Sequence, residues 1–207
     1  MPHSLRRYTE LPYALDYLRT REIALLSPKS WDDRNDSYYL EAYARTKGLN
    51  AVYALCLTEA NETYHHWKVF SSGSSGICIV FKKQSLLEWA KSIEALRVES
   101  VKYRTIDQCK KYRPELEDLP FLKREAFRDE LEFRLFATPT NNKSGPFRLH
   151  LPFAAVDRIV INPWLPKSVA DHVKATIRGL EGCKSMKVYR SSLIENESWK
   201  RFAPSGA

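Results

Sequence analysis

The chain has 207 residues, 43% hydrophobic and 12% aromatic, with 33 Lys/Arg against 25 Asp/Glu and a formal charge of +8. That length suits a single domain, 1–207, and no apolar run approaches the ~20 residues that a membrane span needs. Cys56, Cys78, Cys109 and Cys183 are scattered without a CxxC pair, which argues against a zinc site and for reduced thiols in a cytoplasmic protein.

Taken in chain order, Leu5 to Tyr8 is a short strand. Leu11, Ala14, Leu15 and Leu18 recur at helical spacing behind Pro12, which the opening turn of a helix tolerates. Ile23 to Leu26 is a buried strand ending at Ser27-Pro28. Trp31 to Ser37 (WDDRNDS) is a polar loop, in which Asp33 and Asp36 are expected to cap neighbouring backbone amides. A helix carrying Tyr38, Tyr39 and Tyr43 follows, then a buried strand over Val52 to Leu57. Thr63 to Phe70 is a short helix, Ser71 to Gly76 a turn, and Ile77 to Phe81 a strand.

Further on, a helix spans Leu86 to Ile93 and a strand Val98 to Tyr103, before a loosely structured stretch from Asp107 to Pro120. Lys123 to Phe136 (KREAFRDELEFRLF) runs a basic, helix-like segment into an alternating strand. Asn141 to Pro146 is a loop and Val156 to Ile161 a strand. Pro166 to Arg178 is a helix with Val169, Val173 and Ile177 on one stripe and Gly179 beyond its end. Several connections are too short for the crossovers of a parallel sheet. The fold class is α+β, with one bent mixed sheet or two small sheets and helices packed outside.

The charge is unevenly placed: residues 1–100 hold 13 Lys/Arg against 12 Asp/Glu, and residues 101–207 hold 20 against 13. Such a surplus favours a polyanionic partner, either nucleic acid or a phosphorylated cofactor, and also serves solubility. No basic run exceeds two residues, so there is no basic arm. The opening MPHSLRRYTE lacks the apolar segment of a secretory signal.

The chain contains no GxGxxG, GxxxxGK[ST] or HExxH. The SSGSSG turn has no P-loop lysine behind it, and adjacent His65 and His66 diverge on a helix. The alternating strand is the chemically distinctive stretch. It sets Glu130, Glu132 and Arg134 on one face and Leu131, Phe133 and Leu135 on the buried face. Side chains two apart on a strand lie ~6.6–7 Å from each other, close enough to share a ligand. The competing reading is a solvated ladder in which Arg134 neutralises Glu132. Asp33 and Asp36 with Glu132 could hold a metal, but a nuclease of the acid-ExK type wants lysine where Arg134 stands, and arginine does not release its proton.

The order of short motifs resembles a bacterial family, domain of unknown function 2971. They are Arg7-Tyr8, Ser27-Pro28, the W-D-D-x-x-D loop, W-x-x-x-S-x-G-x-x-G-I-x-I-x-F from Trp67 to Phe81, and K-x-x-x-F-x-x-E-x-E-x-R from Lys123 to Arg134. The match spans about 5–161, leaving 162–207 as a C-terminal helix and tail. Where that family shows an aromatic and then Asn-Asp-Pro, this chain has Trp31-Asp32-Asp33-Arg34.

A second resemblance names a chemistry. RRYTELPYALDYLRTREIALLS, from Arg6 to Ser27, is similar to the opening of DNA-targeting ADP-ribosyltransferase toxins, and Leu131-Glu132-Phe133-Arg134-Leu135 is similar to their catalytic A-E-F-L-V strand. The resemblance implies an ADP-ribosyltransferase-like fold, NAD as substrate and a toxin or defence role. It makes Arg7 the residue that holds the NAD ribose or phosphate, Tyr8 its neighbour, and Glu132 the catalytic acid. Ser27 and Tyr53 are the candidates for the middle motif.

The chemistry supplies its own reasons. Breaking the nicotinamide–ribose bond passes through an oxocarbenium-like cation, which a fixed carboxylate stabilises. Glu132 suits that task with Arg134 keeping it ionised, Glu130 could activate the acceptor as general base, and Arg7 could grip a pyrophosphate. Trp67 or Tyr8 could stack on a base, although a tryptophan in a short helix is as readily a core anchor. Lys110, Lys111, Arg113, Lys123, Arg124 and Arg128 are expected to border the Glu132 cleft if the acceptor is nucleic acid. Three classes stay open: an NAD-consuming transferase or hydrolase, a non-catalytic module binding nucleotide or nucleic acid, and a metal-dependent nuclease.

Overall fold

The computed structural model describes residues 3–71, 73–140 and 145–204. Strand β1 (Ser4–Glu10) leads into helix α1 (Leu11–Thr20), whose Ala14, Tyr17 and Leu18 are buried. Arg21 ends that helix in the left-handed region, its N–H returning to the Tyr17 carbonyl. Strand β2 (Glu22–Leu25) is followed by helix α2 (Arg34–Thr46), capped by the Asp33 carboxylate on the amides of Asn35 and Asp36, which supplies acceptors for helix-start donors. Strand β3 (Tyr53–Thr58), helix α3 (Tyr64–Phe70), strand β4 (Gly76–Lys82) and helix α4 (Lys83–Lys91) come next.

Two short strands, β5 (Leu96–Ser100) and β6 (Lys102–Arg104), stand where one was expected. Helix α5 (Ile106–Lys111) gives the stretch before Pro120 an element the sequence did not announce. Strand β7 (Leu122–Arg124) and a 3-10 turn over Glu125–Glu130 replace the expected helix-like segment. Strands β8 (Glu132–Ala137), β9 (Phe147–His150) and β10 (Val156–Ile161) precede helix α6 (Lys167–Gly179), strand β11 (Val188–Arg190) and helix α7 (Glu197–Lys200). The turn at Ser71 to Gly76 and the loop at Asn141 to Pro146 lie partly outside the described residues.

The main sheet has seven strands in the order β11-β10-β4-β1-β3-β8-β5, antiparallel except for β10 with β11. Two small sheets, β2-β9 and β6-β7, flank it, and the Leu26–Ala54 bridge ties the first of these to β3. The fold is α+β, as its short connections require. Both faces are covered, which is why β4 reads as a continuous apolar run. Ile77, Ile79 and Phe81 join the large core with Leu5, Leu57, Phe133 and Leu135. Cys78 and Val80 face the other way, onto Trp67 and Val160. A third cluster sets Leu40 and Tyr43 of α2 against Phe136 and Phe121. Among the described residues, no helix is long and apolar enough to cross a membrane.

One pairing is incomplete. Strand β1 pairs β4 along seven residues, Ser4 to Glu10, but meets β3 only at Arg6–Thr58. Beyond that pair the two strands part, and the space between them is not filled by side chains.

Candidate functional site

A cavity of about 560 Å³ occupies this split. Arg7, Tyr8 and Thr9 line it from β1, Leu55 to Thr58 from β3, and Glu130 and Glu132 from the far side, with Trp31 and Tyr13 at its margins. Alternation puts Arg7 on the sheet face of Ile79, its register partner in β4. Glu132 shares its face with Arg134 and Phe136, on the α2 side. The two residues therefore enter one cavity from opposite faces of the sheet, which the parting of β1 and β3 allows.

The Arg7 side chain has no ion pair or hydrogen bond among the described residues. Burial lowers its guanidinium to about 10, still charged at neutral pH. Desolvating a cation without a partner is costly, and an anion entering the cavity would offset that cost. Arg6, in contrast, is tied to the Ala60 carbonyl at 2.6 Å.

Glu132 lies in a dense ionic cluster. Its Oε1 accepts from Arg134 Nε at 2.6 Å, and its Oε2 from Arg134 Nη2 at 3.0 Å and Lys123 Nζ at 3.4 Å. The Tyr103 hydroxyl accepts from the Glu132 backbone N–H at 2.8 Å. Burial alone would raise this carboxyl; the charge and hydrogen bonds of Arg134, with Lys123 and the Cys56 thiol, outweigh it and hold it at about 2. Glu130 behaves oppositely: burial and the neighbouring Glu132 raise it, against the pull of Lys123 at 2.6 Å. The two carboxylates are thus driven apart in acidity, a pattern associated with sites of acid–base chemistry.

Arg134 is the hub. It is fully buried and forks onto Asp36 at 2.9 and 2.6 Å, onto Glu132, and onto the Pro120 carbonyl at 2.9 Å. These bonds use all five of its donors. No donor is left for a cofactor, and Arg134 is a positioning group for Glu132. Asp36 does not cap backbone amides as expected, because Arg134 claims both its oxygens; only Asp33 caps. With the Arg134 guanidinium between Asp36 and Glu132, and Asp33 turned to the helix amides, the three acids weighed as alternative metal ligands face other partners. Among the described residues, no group of three or more His, Cys, Asp or Glu is arranged to hold a metal ion.

The expected strand pattern needs correction at its start. Glu130 belongs to the 3-10 turn, and Leu131 has φ of 43° and is 51% exposed. Phe133 and Leu135 are buried as the alternation requires. The positive φ at Leu131 reverses the chain between turn and strand, which swings Glu130 back toward Lys123.

Other candidates are placed as follows. The Tyr8 ring borders the cavity, but one side stacks on His66 at 5.7 Å and Trp67 meets it edge-on at 5.0 Å, so it is a wall with its hydroxyl buried inward. Trp67 is 1% exposed and donates to Glu62 at 2.8 Å; it is a core anchor and does not touch the cavity. Ser27 opens the short turn at Pro28 and does not line the cavity either. Tyr53 is buried against Phe147.

Of the basic residues expected near Glu132, only Lys123 reaches it, and that ammonium is consumed by Glu130 and Glu132. Lys110 pairs with Asp107, Arg128 with Glu125, and Lys111 lies over Tyr112. Arg113 is exposed and Arg124 borders a different cavity. None of these six residues is among those lining the Glu132 cavity. Cys56, expected in the core, is exposed on the cavity wall. Solvent reaches it through the cavity, but desolvation by the surrounding protein and the nearby Glu132 carboxylate push the thiol well above its usual range. Sequence reasoning missed Cys56, Tyr103 and the Asp36–Arg134 pair; an acid-rich loop together with a strand arginine was the available signal for the last.

No family model matches the chain, and no curated protein does. Solved structures of DarT from Thermus sp. 2.9 are similar to it at a TM-score of 0.46. The complex with ADP-ribosylated ssDNA is 11% identical, covering 92% of this chain and 94% of that one. The complex with NAD+ is 11% identical, covering 92% and 96%, and that with carba-NAD+ is 9% identical, covering 90% and 94%.

Proposed function

We propose that the chain cleaves the nicotinamide–ribose bond of NAD and passes ADP-ribose to water or an acceptor nucleophile. The reading rests on this chain's own cavity. The observation that carries it is that Arg7, a cation with no ion-pair partner among the described residues, and Glu132, a carboxylate held ionised, line the same split in the sheet. Arg7 suits the pyrophosphate, because a guanidinium pairs two phosphate oxygens at once. Glu132 suits the ribose, where its negative charge stabilises the oxocarbenium-like centre as nicotinamide departs with the bonding electron pair. Arg134 and Lys123 fix its position so that little reorganisation accompanies the reaction. Glu130, the more basic carboxylate, suits the role of general base that takes the proton of the attacking nucleophile.

A second reading, a non-catalytic nucleotide-binding module, is favoured by one specific feature: both Glu132 oxygens already accept from Arg134, and the side chain is only 2% exposed. One experiment separates the two. Nicotinamide release from NAD is followed with the pure protein, with and without single-stranded nucleic acid, alongside Glu132→Gln and Glu130→Gln. The transferase reading expects release by the wild type and its loss in Glu132→Gln. NAD that binds without being consumed supports the module.

A further inference from the structure

A second cavity, of about 440 Å³, lies where α2, α5, β6 and β7 meet. Its walls carry Arg34, Arg104 and Arg124 together with Tyr38, Tyr39 and Ile106. None of the three arginines forms an ion pair among the described residues. Arg34 donates only to the Lys29 carbonyl and Arg104 only to that of Tyr112, each at 3.4 Å. Arg104 and Arg124 are also direct register partners across the β6-β7 pair, and like charges placed opposite each other on adjacent strands repel. The fold thus holds three guanidinium groups around one hollow with no carboxylate paired to any of them. Tyr38 and Ile106, each 60% exposed, add aromatic and apolar surface.

We infer that this second cavity binds a nucleoside phosphate, with the phosphate on Arg104 and Arg124, Arg34 closing from the helix start, and the base against Tyr38 and Ile106. Arginine forks match phosphate oxygens in pairs, and a base lies well on an aromatic ring. The volume falls within the range of small-molecule sites and exceeds what a bare phosphate fills. The cavity is distinct from the split holding Arg7, although Asp36 and Lys123 on its wall belong to the cluster around Glu132. The inference does not depend on NAD cleavage. A free nucleotide and a nucleic-acid strand present the same chemistry, and the test separates them.

Adenosine 5′-monophosphate, adenosine, inorganic phosphate and an oligodeoxyadenylate of about eight nucleotides, within the span of single-strand sites, are titrated against the full chain. The same titrations are run on Arg104→Gln/Arg124→Gln, Tyr38→Ala and the surface control Arg113→Gln. The monophosphate should bind at least about tenfold more tightly than adenosine, with phosphate competing, as a charge-assisted contact requires. The double variant should lose about tenfold or more in affinity, Tyr38→Ala should weaken the monophosphate more than inorganic phosphate, and Arg113→Gln should leave binding unchanged. An oligonucleotide bound much more tightly than the monophosphate, with a steep salt dependence, identifies a strand as the source; equal affinity identifies a free nucleotide. Without ligand the double variant should melt no lower than the wild type, because repulsion is relieved. Absence of binding by both the monophosphate and the oligonucleotide, binding unaffected by the double variant, or a double variant that fails to fold would each overturn the assignment.

Discussion

Arg7 and Glu132 stand on strands separated in the sheet by β3 alone, yet they do not pair with each other. Opposite charges facing one cavity without neutralising each other leave two different groups for a ligand, one for anionic and one for cationic character. Arg7→Gln should therefore weaken NAD binding by about 10–100-fold, the worth of a hydrogen bond to a charged group. Stability should hold or rise, because a desolvated cation without a partner is removed. Calorimetric titration and urea melts check the two halves.

The buried pair of Arg134 and Asp36 should behave in the opposite way. Arg134→Met strands Asp36 and Glu132 as carboxylates without their main counter-charge, and removing one partner of a buried ion pair costs about 3–5 kcal/mol. Urea denaturation should show that loss, and NAD turnover should fall with it. A variant as stable as the wild type would mean the cluster is hydrated and contributes little.

Acid should weaken the fold partly through Glu132. Its carboxyl lies at about 2 in the folded chain against an ordinary value of 4.5. A depressed carboxyl contributes stability that is fully present above the ordinary value and is lost as pH falls toward the folded one. The difference in unfolding free energy between wild type and Glu132→Gln should therefore shrink between about pH 4.5 and 2. Glu130 and Asp36 are both raised, so each opposes that trend: its contribution is present at low pH and is lost as pH rises. Glu130→Gln removes one of these opposing contributions, so the variant should lose more stability in acid than the wild type does.

Cys56 offers a reporter of the cavity. It is exposed while Cys78 and Cys183 are buried, so a maleimide should reach it before those two. Its raised thiol should react more slowly than a free cysteine, because the thiolate is the nucleophile. Saturating NAD should slow it further. Peptide mapping after brief labelling distinguishes it from Cys109; unchanged Cys56 labelling with NAD bound would place the ligand elsewhere.

Much of the fold is legible because alternation and helical spacing report burial directly. The run from Ile77 to Phe81 reads as a strand, and Phe133 with Leu135 as the inward half of β8. What is not legible depends on chain reversals and distant partners. Leu131 looks like another inward strand residue; its left-handed backbone is visible only once the 3-10 turn before it is known. Lys123 looks like part of a basic surface, yet that same reversal returns Glu130 and Glu132 to its ammonium. Asp36 and Arg134 are 98 residues apart, and nothing local announces their pairing. The cavity is the least legible feature, because it arises where β1 fails to continue pairing with β3, a property of two strands together and of neither alone.

The most direct test of the account is the structure of the protein with NAD bound in the catalytically silenced Glu132→Gln form. The account predicts the pyrophosphate within hydrogen-bonding distance of the Arg7 guanidinium and the nicotinamide ribose beside position 132, both in the split between β1 and β3. NAD seated instead among Arg34, Arg104 and Arg124, or bound with Arg7 untouched, would contradict it.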